Sequence, residues 1–381
     1  MKTVIAIDSF KGSLSTYKSG EAVKKGIKKV FPDAQCVISP IADGGEGTLD
    51  AVMTAAGGRV VETEVTNPIG EKRLARYGIL PSGEAVVEIA EAAGITLIEK
   101  KKRNPLYTTT YGVGEIILSA IENGCRSFTV GLGGSVTNDG GVGMLQALGF
   151  EFLDGNGREI ERGAVGLEKL ASVRCDKAHP SLSECVFTLA SDVKNPLCGK
   201  NGASKVFAPQ KGGSPEDIER MDAWLERYAD ITFKTLGTSD KNAPGSGAAG
   251  GLGFAFISYL NAEMKSGIEV VTTLTGLEKE VATADIIVTG EGRLDAQSAM
   301  GKAPVGVAAI AKKYGKTVIA FSGCTSPDAT VLNDCGIDAF FPILRTVTTL
   351  EEAIDEKNAF ENLYETSVQV FRLIKIVGGI K

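Results

Sequence analysis

Apolar and polar residues follow one another along the chain in blocks that predict strands and amphipathic helices. The apolar run Thr3–Ile7 predicts a strand, and the stretch after it has helical spacing, with Leu14, Val23 and Ile27 on one face and lysines on the other. A second apolar run, Cys36–Ile41, predicts the next strand. Strand, helix and strand of these lengths form a βαβ unit, which implies a parallel pair with a right-handed crossover.

The C-terminal part of the chain has the same order of elements. Strands are predicted at Asp285–Val288, Thr317–Phe321 and Ala339–Ile343. A helix around Val305–Tyr314 ends before a glycine, and the amphipathic stretch Leu350–Ile376 closes the chain. Both ends of the chain therefore predict parallel α/β structure.

The middle of the chain has a different pattern. Short apolar runs between residues 60 and 100, separated by turn signals such as Asn67-Pro68, indicate hairpins rather than crossovers. Strands at Ser127–Leu132 and Cys185–Ala190 follow. A helix is expected to begin at Ser214, because a serine N-cap is followed by proline and two acidic residues.

These patterns predict an α/β fold of two domains. Residues 1–69 and 281–381 are expected to form a Rossmann-like parallel-sheet domain, interrupted by a second α/β domain of residues 70–280. A length of 381 residues agrees with two domains, since domains commonly have about 100–200 residues.

Composition and charge exclude several classes of partner. The formal net charge is −6 and no basic stripe is interleaved with aromatics, so a nucleic-acid partner is not expected. No apolar stretch has the length of a membrane span, and the first apolar run lacks a signal-peptide cleavage pattern. Seven cysteines without a CxxC pair indicate reduced thiols in a cytoplasmic protein. The sequence does not determine the oligomeric state, and a homo-oligomer is compatible with it.

The chain has a single histidine, His179, which precedes Pro180 in a polar stretch typical of a surface loop. Serine–histidine chemistry is therefore not expected, and proton transfer should depend on carboxylates or lysines.

Acidic and glycine-rich segments follow five of the apolar runs. They begin at Asp8, at Asp43, at Gly131, at Asp192 and at Gly290. Ligands of open parallel sheets bind outside the carboxyl ends of the strands, so these segments predict a ligand-binding edge. Because Asp and Gly are also the commonest turn residues, each segment alone would be explained by an ordinary turn.

The segment Gly131–Gly141 is the strongest candidate for a phosphate-binding loop. Five glycines allow backbone N–H groups to turn toward an anion, Ser135, Thr137 and Asn138 add uncharged donors, and a short helix at Met144–Leu148 follows. The alternative is a glycine-rich helix entry with Asn138 or Asp139 as its N-cap, and both interpretations are compatible.

Two other nucleotide-binding patterns are disfavoured. No GxxxxGK[ST] motif is present, which argues against a Walker-type ATPase. Gly245–Gly250 does match GxGxxG, but the polar stretch before it is not the strand that a dinucleotide site requires. Close packing of a helix at Leu252–Met264 explains its small residues equally well, although contact with a phosphate is also compatible.

Basic residues stand next to these turns rather than in exposed helical rows. They are Lys11, Lys205, Lys211, Arg293 and Lys302. Each alone is typical of a protein surface, but together they have the charge to neutralise a triphosphate and a carboxylate. Phosphoryl transfer needs this combination of cations, backbone donors and carboxylates that hold Mg²⁺ or accept a hydroxyl proton.

Six segments, in this order, resemble the bacterial type I glycerate kinases over essentially the whole chain. They are DSFKGSLS, PIADGGEGT, GLGGSVTNDGG, NGASKVFAPQKG, PGSGAAGGLG and VTGEGRLDAQSAMGKAPVGVA. The resemblance implies phosphorylation of D-glycerate on its 2-hydroxyl with ATP and Mg²⁺. It also implies two α/β domains, one interrupted by the other, with the active site in the cleft between them.

The motif residues receive predicted roles. Catalytic roles are predicted for Asp192, Lys11 and Arg293. Nucleotide or phosphate binding is predicted for Gly133, Gly134, Ser135, Thr137, Asn138, Gly290, Glu291 and Lys302. Substrate binding is predicted for Asp8, Lys11, Lys205, Lys211, Arg293 and Asp295. Metal binding is predicted for Asp43, Glu46 and Asp139.

The residues alone leave the roles of the carboxylates open, because Asp43, Asp139 and Asp192 each suit a base or a metal ligand. Asp192 is the preferred base, since it ends a predicted strand beside the polar turns at Asn195 and Asn201-Gly202. Asp43 is the preferred metal ligand because Glu46 is close in sequence.

Other functions stay compatible with the sequence. A kinase for another small hydroxy or sugar acid would carry the same motifs. A nucleotide- or metabolite-binding regulator with a degenerate site is less favoured, because many carboxylates weaken a simple anion site. A nicotinamide dehydrogenase is disfavoured by the missing strand before Gly245.

Overall fold

The computed structural model describes residues 1–378. The strands are β1 Lys2–Ile7, β2 Gln35–Ile38, β3 Arg59–Thr66, β4 Lys72–Ile79, β5 Ala85–Glu88, β6 Ser127–Gly131, β7 Glu151–Asp154, β8 Leu170–Arg174, β9 Val186–Ala190, β10 Glu263–Lys265, β11 Ile286–Leu294, β12 Thr317–Thr325 and β13 Ala339–Pro342. The helices are α1 Thr16–Val30, α2 Thr48–Ala56, α3 Ala90–Ala93, α4 Tyr111–Glu122, α5 Val142–Ala147, α6 Ala203–Phe207, α7 Pro215–Leu236, α8 Ala248–Leu260, α9 Gly267–Thr275, α10 Leu277–Ala282, α11 Ala303–Lys313, α12 Val331–Asp334, α13 Leu350–Ile354 and α14 Glu356–Val377.

The chain divides into two compact units. Unit 1 comprises Met1–Asp43, Asp50–Gly57 and the chain from Ile268 onward, and unit 2 comprises Gly44–Leu49 and Gly58–Gly267. The sequence predicts the changes of domain at residues 69/70, after β3, and at residues 280/281, within α10. In the structure β3 pairs with β4 over its whole length inside unit 2, whereas α10 lies in unit 1. Residues 379–381 of the predicted first domain lie outside the described residues.

Unit 1 contains a parallel sheet of five strands in the order β13-β12-β11-β1-β2. Alternate residues of β1 enter different cores: Ile5 and Ile7 belong to a cluster that includes residues of α1 and α14, and Val4 and Ala6 to a cluster that includes residues of α10 and α11. A sheet buried on both faces explains why β1 is a continuous apolar run. The predicted Rossmann-like class is confirmed.

Unit 2 contains a mixed sheet of six strands in the order β10-β9-β6-β5-β4-β3. β5, β6, β9 and β10 are parallel, while β3, β4 and β5 form the antiparallel hairpins that the turn signals between residues 60 and 100 predict. The expected start of α7 is also confirmed, since Ser214 Oγ accepts a hydrogen bond from the Asp217 backbone N–H.

The prediction of a helix at Leu252–Met264 was wrong at its end. α8 stops at Leu260 because Asn261 adopts a left-handed conformation with φ 50°. Glu263–Lys265 then pairs with β9 as the edge strand β10. The long C-terminal amphipathic stretch is likewise divided, because Asp355 ends α13 and caps α14.

Within residues 1–378, no helix combines the length and the apolar character that crossing a membrane would require.

Candidate active site

The sheet of unit 1 has a topological switch point between β1 and β11. The chain moves from β1 to β2 on one side, and β11, β12 and β13 lie on the other side. Ligands of doubly wound sheets bind outside the carboxyl ends of the two strands at such a point. Asp8 follows β1 directly, its N–H donates to the Gly290 carbonyl at 2.9 Å, and Glu291 is the next residue of β11. Two acidic residues therefore stand at the switch point.

Asp8 has an unusual environment for a carboxylate. It is only 4% exposed, and its Oδ1 accepts a hydrogen bond of 2.7 Å from the Ser9 N–H. Burial, together with the negative charge of Asp43, raises the pKa of Asp8 to about 7. Such a carboxyl group exchanges a proton near neutral pH, which is the property of a general base.

Lys11 supplies positive charge beside these carboxylates. Its Nζ lies 3.4 Å from Asp43 Oδ2, and its side chain is 68% exposed. Partial desolvation lowers the pKa of Lys11, but the negative charges of Asp43 and Asp8 have the larger effect, so the pKa is raised. Lys11 is therefore a cation that solvent or a ligand can reach.

Glu291 is held by the segment that follows it. Its Oε1 accepts a hydrogen bond of 2.6 Å from Ser298 Oγ. Burial raises the pKa of Glu291, against the opposing effects of Ser298 and the charge of Lys302. Lys302 is the N-cap residue of α11, where its charge and the positive end of the helix act together.

Arg293 and Asp295 form an ion pair, with Arg293 Nε 3.5 Å from Asp295 Oδ2. Arg293 is exposed, whereas Asp295 Oδ1 accepts hydrogen bonds from the backbone N–H groups of Gln297 and Ser298. Asp295 thus orders the turn after β11 and orients Arg293.

Gly290, a predicted nucleotide contact, is explained by sheet packing. A Cβ at this position would lie 2.0 Å from the Phe321 carbonyl oxygen of β12. Any side chain would therefore collide with the neighbouring strand.

In unit 2, four parallel strands end side by side. Glu88, Gly131, Ala190 and Lys265 are register partners at the carboxyl ends of β5, β6, β9 and β10. The loops after β6 and β9 carry most of the remaining predicted residues. The two acidic and glycine-rich segments of unit 2 are therefore neighbours at this edge.

The loop at Gly44–Gly47 packs against the loop at Gly131–Gly134 through the backbone. Gly133 N–H donates to the Gly44 carbonyl at 3.1 Å, and a Cβ on Gly133 would lie 2.2 Å from Gly45 Cα. Gly133 is thus required by the approach of two main chains, independently of any ligand.

Glu88, which the sequence motifs do not include, anchors the first of these loops. Its Oε2 accepts hydrogen bonds from the Gly47 N–H at 3.1 Å and from the Leu49 N–H at 3.2 Å. Glu88 is buried and ends the otherwise apolar run of β5. A charged residue that ends a buried strand was the available signal. Glu46 is exposed in the loop that Glu88 holds.

The predicted phosphate loop is mostly buried. Gly134 is exposed and Gly133 partly exposed, whereas Ser135, Thr137, Asn138 and Asp139 are buried. The Asn138 side chain donates to Ser204 Oγ at 2.8 Å inside unit 2. Only the glycines and the edge of Ser135 therefore lie where a ligand can reach them.

The Asp139 carboxylate is surrounded by hydrogen-bond donors of its own unit. Its carboxylate accepts hydrogen bonds from the backbone N–H groups of Thr110, Gly141 and Gly143 and from Thr110 Oγ1. Burial raises its pKa against these donors. The N-cap of α5 is Gly141 and not Asn138 or Asp139, although the bond from the Gly143 N–H places the Asp139 carboxylate at the helix entry. The predicted metal role of Asp139 receives no support from these contacts. α5 has six residues, so it offers little helix dipole to an anion.

Lys205 and Lys211 were both predicted to bind substrate, and the structure places them differently. Lys205 pairs with Glu219 and is partly exposed. Lys211 is 2% exposed, and its Nζ donates to Ser135 Oγ at 2.9 Å and to the Thr137 carbonyl at 2.6 Å. Its ammonium lies behind the loop and holds it from inside.

Asp192 lies just beyond β9, as predicted. Its Oδ1 accepts hydrogen bonds from Ser266 Oγ at 2.8 Å and from the Gly267 N–H at 3.1 Å. These donors fix the orientation of the carboxylate.

Three further sequence interpretations concern the dinucleotide pattern, the small residues of α8 and the single histidine. Thr238–Pro244 contains no strand, in agreement with the argument against a dinucleotide site. A Cβ on Gly250 would lie 2.0 Å from the Thr137 carbonyl oxygen, so helix packing accounts for that small residue. His179 is partly buried and precedes a short 3₁₀ turn.

The chain is similar to proteins of one family throughout its length. Its sequence matches the profile of the glycerate kinase family over residues 3–375. It is 46% identical over 377 residues to the glycerate 2-kinase of Escherichia coli strain K12, covering 99% of this chain and 98% of that protein. It is 43% identical over 377 residues to a glycerate kinase of Bacillus subtilis strain 168, with 99% and 98% covered.

A solved structure agrees with this relationship. A protein of Salmonella typhimurium LT2, assigned as a glycerate kinase 2, matches with a TM-score of 0.88 and 44% identity over 100% of both chains. The resemblance based on the six motifs is thus confirmed, and the chain is a kinase that belongs to the glycerate kinase family.

Proposed function

We propose that this protein transfers a phosphoryl group from ATP to the 2-hydroxyl of D-glycerate, with Mg²⁺, and so forms 2-phosphoglycerate. Similarity to an Escherichia coli protein named glycerate 2-kinase supports the substrate and the position. The observation that carries the chemistry is the buried carboxyl group of Asp8, whose pKa of about 7 suits proton transfer from a hydroxyl group near neutral pH.

Two aspartates are candidates for the general base. Asp192 remains the candidate from the sequence, and its carboxylate is oriented by Ser266 and Gly267. Asp8 has the stronger physical argument, because burial and Asp43 increase its proton affinity. In this proposal Asp8 accepts the proton of the 2-hydroxyl as the oxygen attacks the terminal phosphorus of ATP, and ADP leaves as the bond to the bridging oxygen breaks.

Lys11 and Arg293 are the proposed cations for the carboxylate of glycerate and for the charge that develops on the transferred group. Both side chains are exposed in unit 1 and each is oriented by an aspartate. A guanidinium can bind a carboxylate through two parallel hydrogen bonds, while an ammonium acts as a point charge.

Phosphate contacts are proposed in each unit. In unit 1, Lys302 at the N-cap of the eleven-residue helix α11 combines an ammonium with a helix N-terminus. In unit 2, the accessible part of the glycine loop is limited to Gly133, Gly134 and the edge of Ser135. Thr137 and Asn138, which are buried, are proposed to support the loop instead.

The carboxylates of unit 1 supply some of the oxygen ligands that a Mg²⁺ site needs, but not a complete set. Within residues 1–378 no cluster of three or more His, Cys, Asp or Glu side chains is arranged to hold a metal by itself. Mg²⁺ commonly binds through one or two carboxylates, water and substrate phosphates. Asp43 is the proposed carboxylate ligand, and its charge acts on the neighbouring carboxyl group of Asp8. When bound, Mg²⁺ would neutralise charge on the phosphates. Glu46 remains a predicted ligand.

The decisive measurement identifies the product. Purified protein incubated with ATP, Mg²⁺ and D-glycerate should form 2-phosphoglycerate, distinguished from its isomer by phosphorus NMR. 3-Phosphoglycerate as the sole initial product would contradict the position, and turnover only with other hydroxy or sugar acids would contradict the substrate. Nucleotide binding without turnover of any acid would favour the regulator. The cleft, the cytoplasmic location and a homo-oligomeric state remain predictions.

A further inference from the structure

The part of the glycine loop that a ligand can reach is small and has one side-chain donor. Gly134 is exposed and Gly133 partly so, and Ser135 is 8% exposed. Behind these residues, Lys211 is 2% exposed. A buried ammonium therefore stands directly behind Ser135, which is itself only slightly exposed.

The hydrogen bonds of Lys211 go to neutral acceptors. Its Nζ donates to Ser135 Oγ at 2.9 Å and to the Thr137 carbonyl at 2.6 Å, and no ion pair of Lys211 with a carboxylate occurs among the described residues. Burying an ammonium in this way opposes folding, and an apolar side chain of similar length would commonly be more stable. Packing alone thus gives no reason for a lysine here.

Asp139 is the charged group that acts on the pKa of Lys211, but its carboxylate forms no hydrogen bond with the ammonium. Asp139 raises the pKa of Lys211, but its carboxylate accepts four hydrogen bonds, from the Thr110 backbone and hydroxyl and from the Gly141 and Gly143 N–H groups. The positive charge of Lys211 is therefore available to attract an anion at the loop.

The contact with Lys211 also determines the direction of the Ser135 hydroxyl. A serine oxygen that accepts from an ammonium must donate its own proton elsewhere, and the ammonium strengthens that donor. The backbone of Lys211 is fixed as well, since Gly212 follows in a left-handed conformation with φ 93° that admits glycine.

We infer that Lys211 is a positioning residue for phosphate binding: its ammonium orients Ser135 so that the serine hydroxyl donates to a phosphate group at Gly133 and Gly134. The inference rests on the proposed function, because it takes the phosphate to be that of the nucleotide. It replaces the predicted direct contact between Lys211 and substrate with an internal role.

Binding should be accompanied by uptake of a proton. Burial lowers the pKa of Lys211 to about 7, so much of the ammonium is deprotonated at pH 8 in the free protein. A bound phosphate favours the charged form and raises this pKa. ADP binding at pH 8 should thus take up a proton, and affinity should fall as pH rises above 7.

The test is calorimetry of ADP binding at pH 8, in buffers with different ionisation enthalpies and without glycerate. Lys211→Met should lose about ten- to a hundredfold in ADP affinity and should lose the proton uptake, while its melting temperature is retained or raised. Ser135→Ala, which keeps the ammonium, should weaken ADP binding by about tenfold. Lys200→Met, an exposed lysine of the same unit, is the matched control and should bind as wild type.

The outcomes separate this inference from the proposed function. If the wild-type protein does not bind ADP, the proposed function itself fails. If it binds ADP and both Lys211→Met and Ser135→Ala bind with unchanged affinity and proton uptake, the positioning role is wrong. Should Lys211→Met not fold, unchanged ADP affinity of Ser135→Ala is sufficient to overturn the inference.

Discussion

Three aspartates that follow strands or glycine loops differ in what surrounds each carboxylate. Asp139 is buried among four donors at the entry of α5, whereas Asp192 is oriented by Ser266 and Gly267. Asp8 is buried with a single short backbone donor and a neighbouring negative charge, which raises its pKa to about 7. Environment, rather than residue type, thus decides which aspartate is basic enough to accept a proton.

The role of Asp8 is tested by paired variants. Asp8→Asn should lower kcat by roughly 10²–10⁴, the usual effect of losing a general base. In the wild-type enzyme, kcat/KM should rise with pH up to about 7, since only the ionised carboxylate accepts a proton. Asp192→Asn is the comparison: if it loses that pH dependence and Asp8→Asn keeps it, Asp192 is the base.

A third variant checks the electrostatic cause. Asp43 raises the pKa of Asp8, so in the Mg²⁺-free protein Asp43→Asn should move the midpoint of the carboxyl titration, followed by NMR, to lower pH. An unchanged midpoint would show that the titrating group is not Asp8. A higher Mg²⁺ requirement in the same variant would support Asp43 as a metal ligand.

Stability provides a further readout for Asp8 without substrate. An aspartate in the unfolded chain has a pKa near 3.9, so between pH 4 and 7 the folded protein binds the additional proton. The free energy of unfolding should therefore decrease as pH rises through this range. In Asp8→Asn the free energy of unfolding should fall less over the same pH range, because the titration of Asp8 is removed.

At the scale of elements, the glycine-rich loops of unit 2 are explained first by packing of one backbone against another. The loop after β6 approaches the Gly44–Gly47 segment so closely that Gly133 has no space for a Cβ. Glu88 holds the other side of that segment through the Gly47 and Leu49 N–H groups. Such packing places the exposed glycines accurately before any ligand binds.

This interpretation predicts a contrast between two glycines. Gly133→Ala should lower the melting temperature strongly, because the new Cβ would lie 2.2 Å from Gly45 Cα and neither main chain can move alone. Gly155→Ala should be close to neutral, since no atom lies within 4 Å of its Cβ position. Thermal unfolding of both variants is the measurement. A Gly133→Ala protein as stable as wild type would show that the loops do not require this contact.

At the scale of the whole molecule, the two units have separate hydrophobic cores: unit 1 has two core clusters and unit 2 has one among the described residues. Phe371 lies in a core formed by residues of unit 1, whereas Trp224, the single tryptophan, packs in the core of unit 2 and is 8% exposed. Separate cores permit separate unfolding transitions. Tryptophan fluorescence therefore reports on unit 2, while circular dichroism reports on both.

Urea unfolding should distinguish the two cores. Phe371→Ala should destabilise unit 1 by about 3–5 kcal/mol, because a fully buried aromatic ring is removed. The fluorescence midpoint of Trp224 should change little, and part of the dichroism transition should move to lower urea. Phe187→Ala in unit 2 is the reciprocal control and should lower the fluorescence midpoint. Equal shifts of both signals in Phe371→Ala would mean that the units unfold together.

The sequence by itself determined the class of the fold, the order of most elements, the start of α7 and the family. These features follow from local hydrophobic periodicity, capping residues and motifs that are contiguous in the chain. The tertiary structure decided the unit boundaries, the edge strand β10 and the differing environments of Asp8, Asp139 and Lys211. Pairing partners, burial and pKa arise from residues distant in sequence, such as Asp43 beside Asp8 and Ser135 beside Lys211. Local pattern does not contain that information, because desolvation and charge depend on what the folded chain brings together.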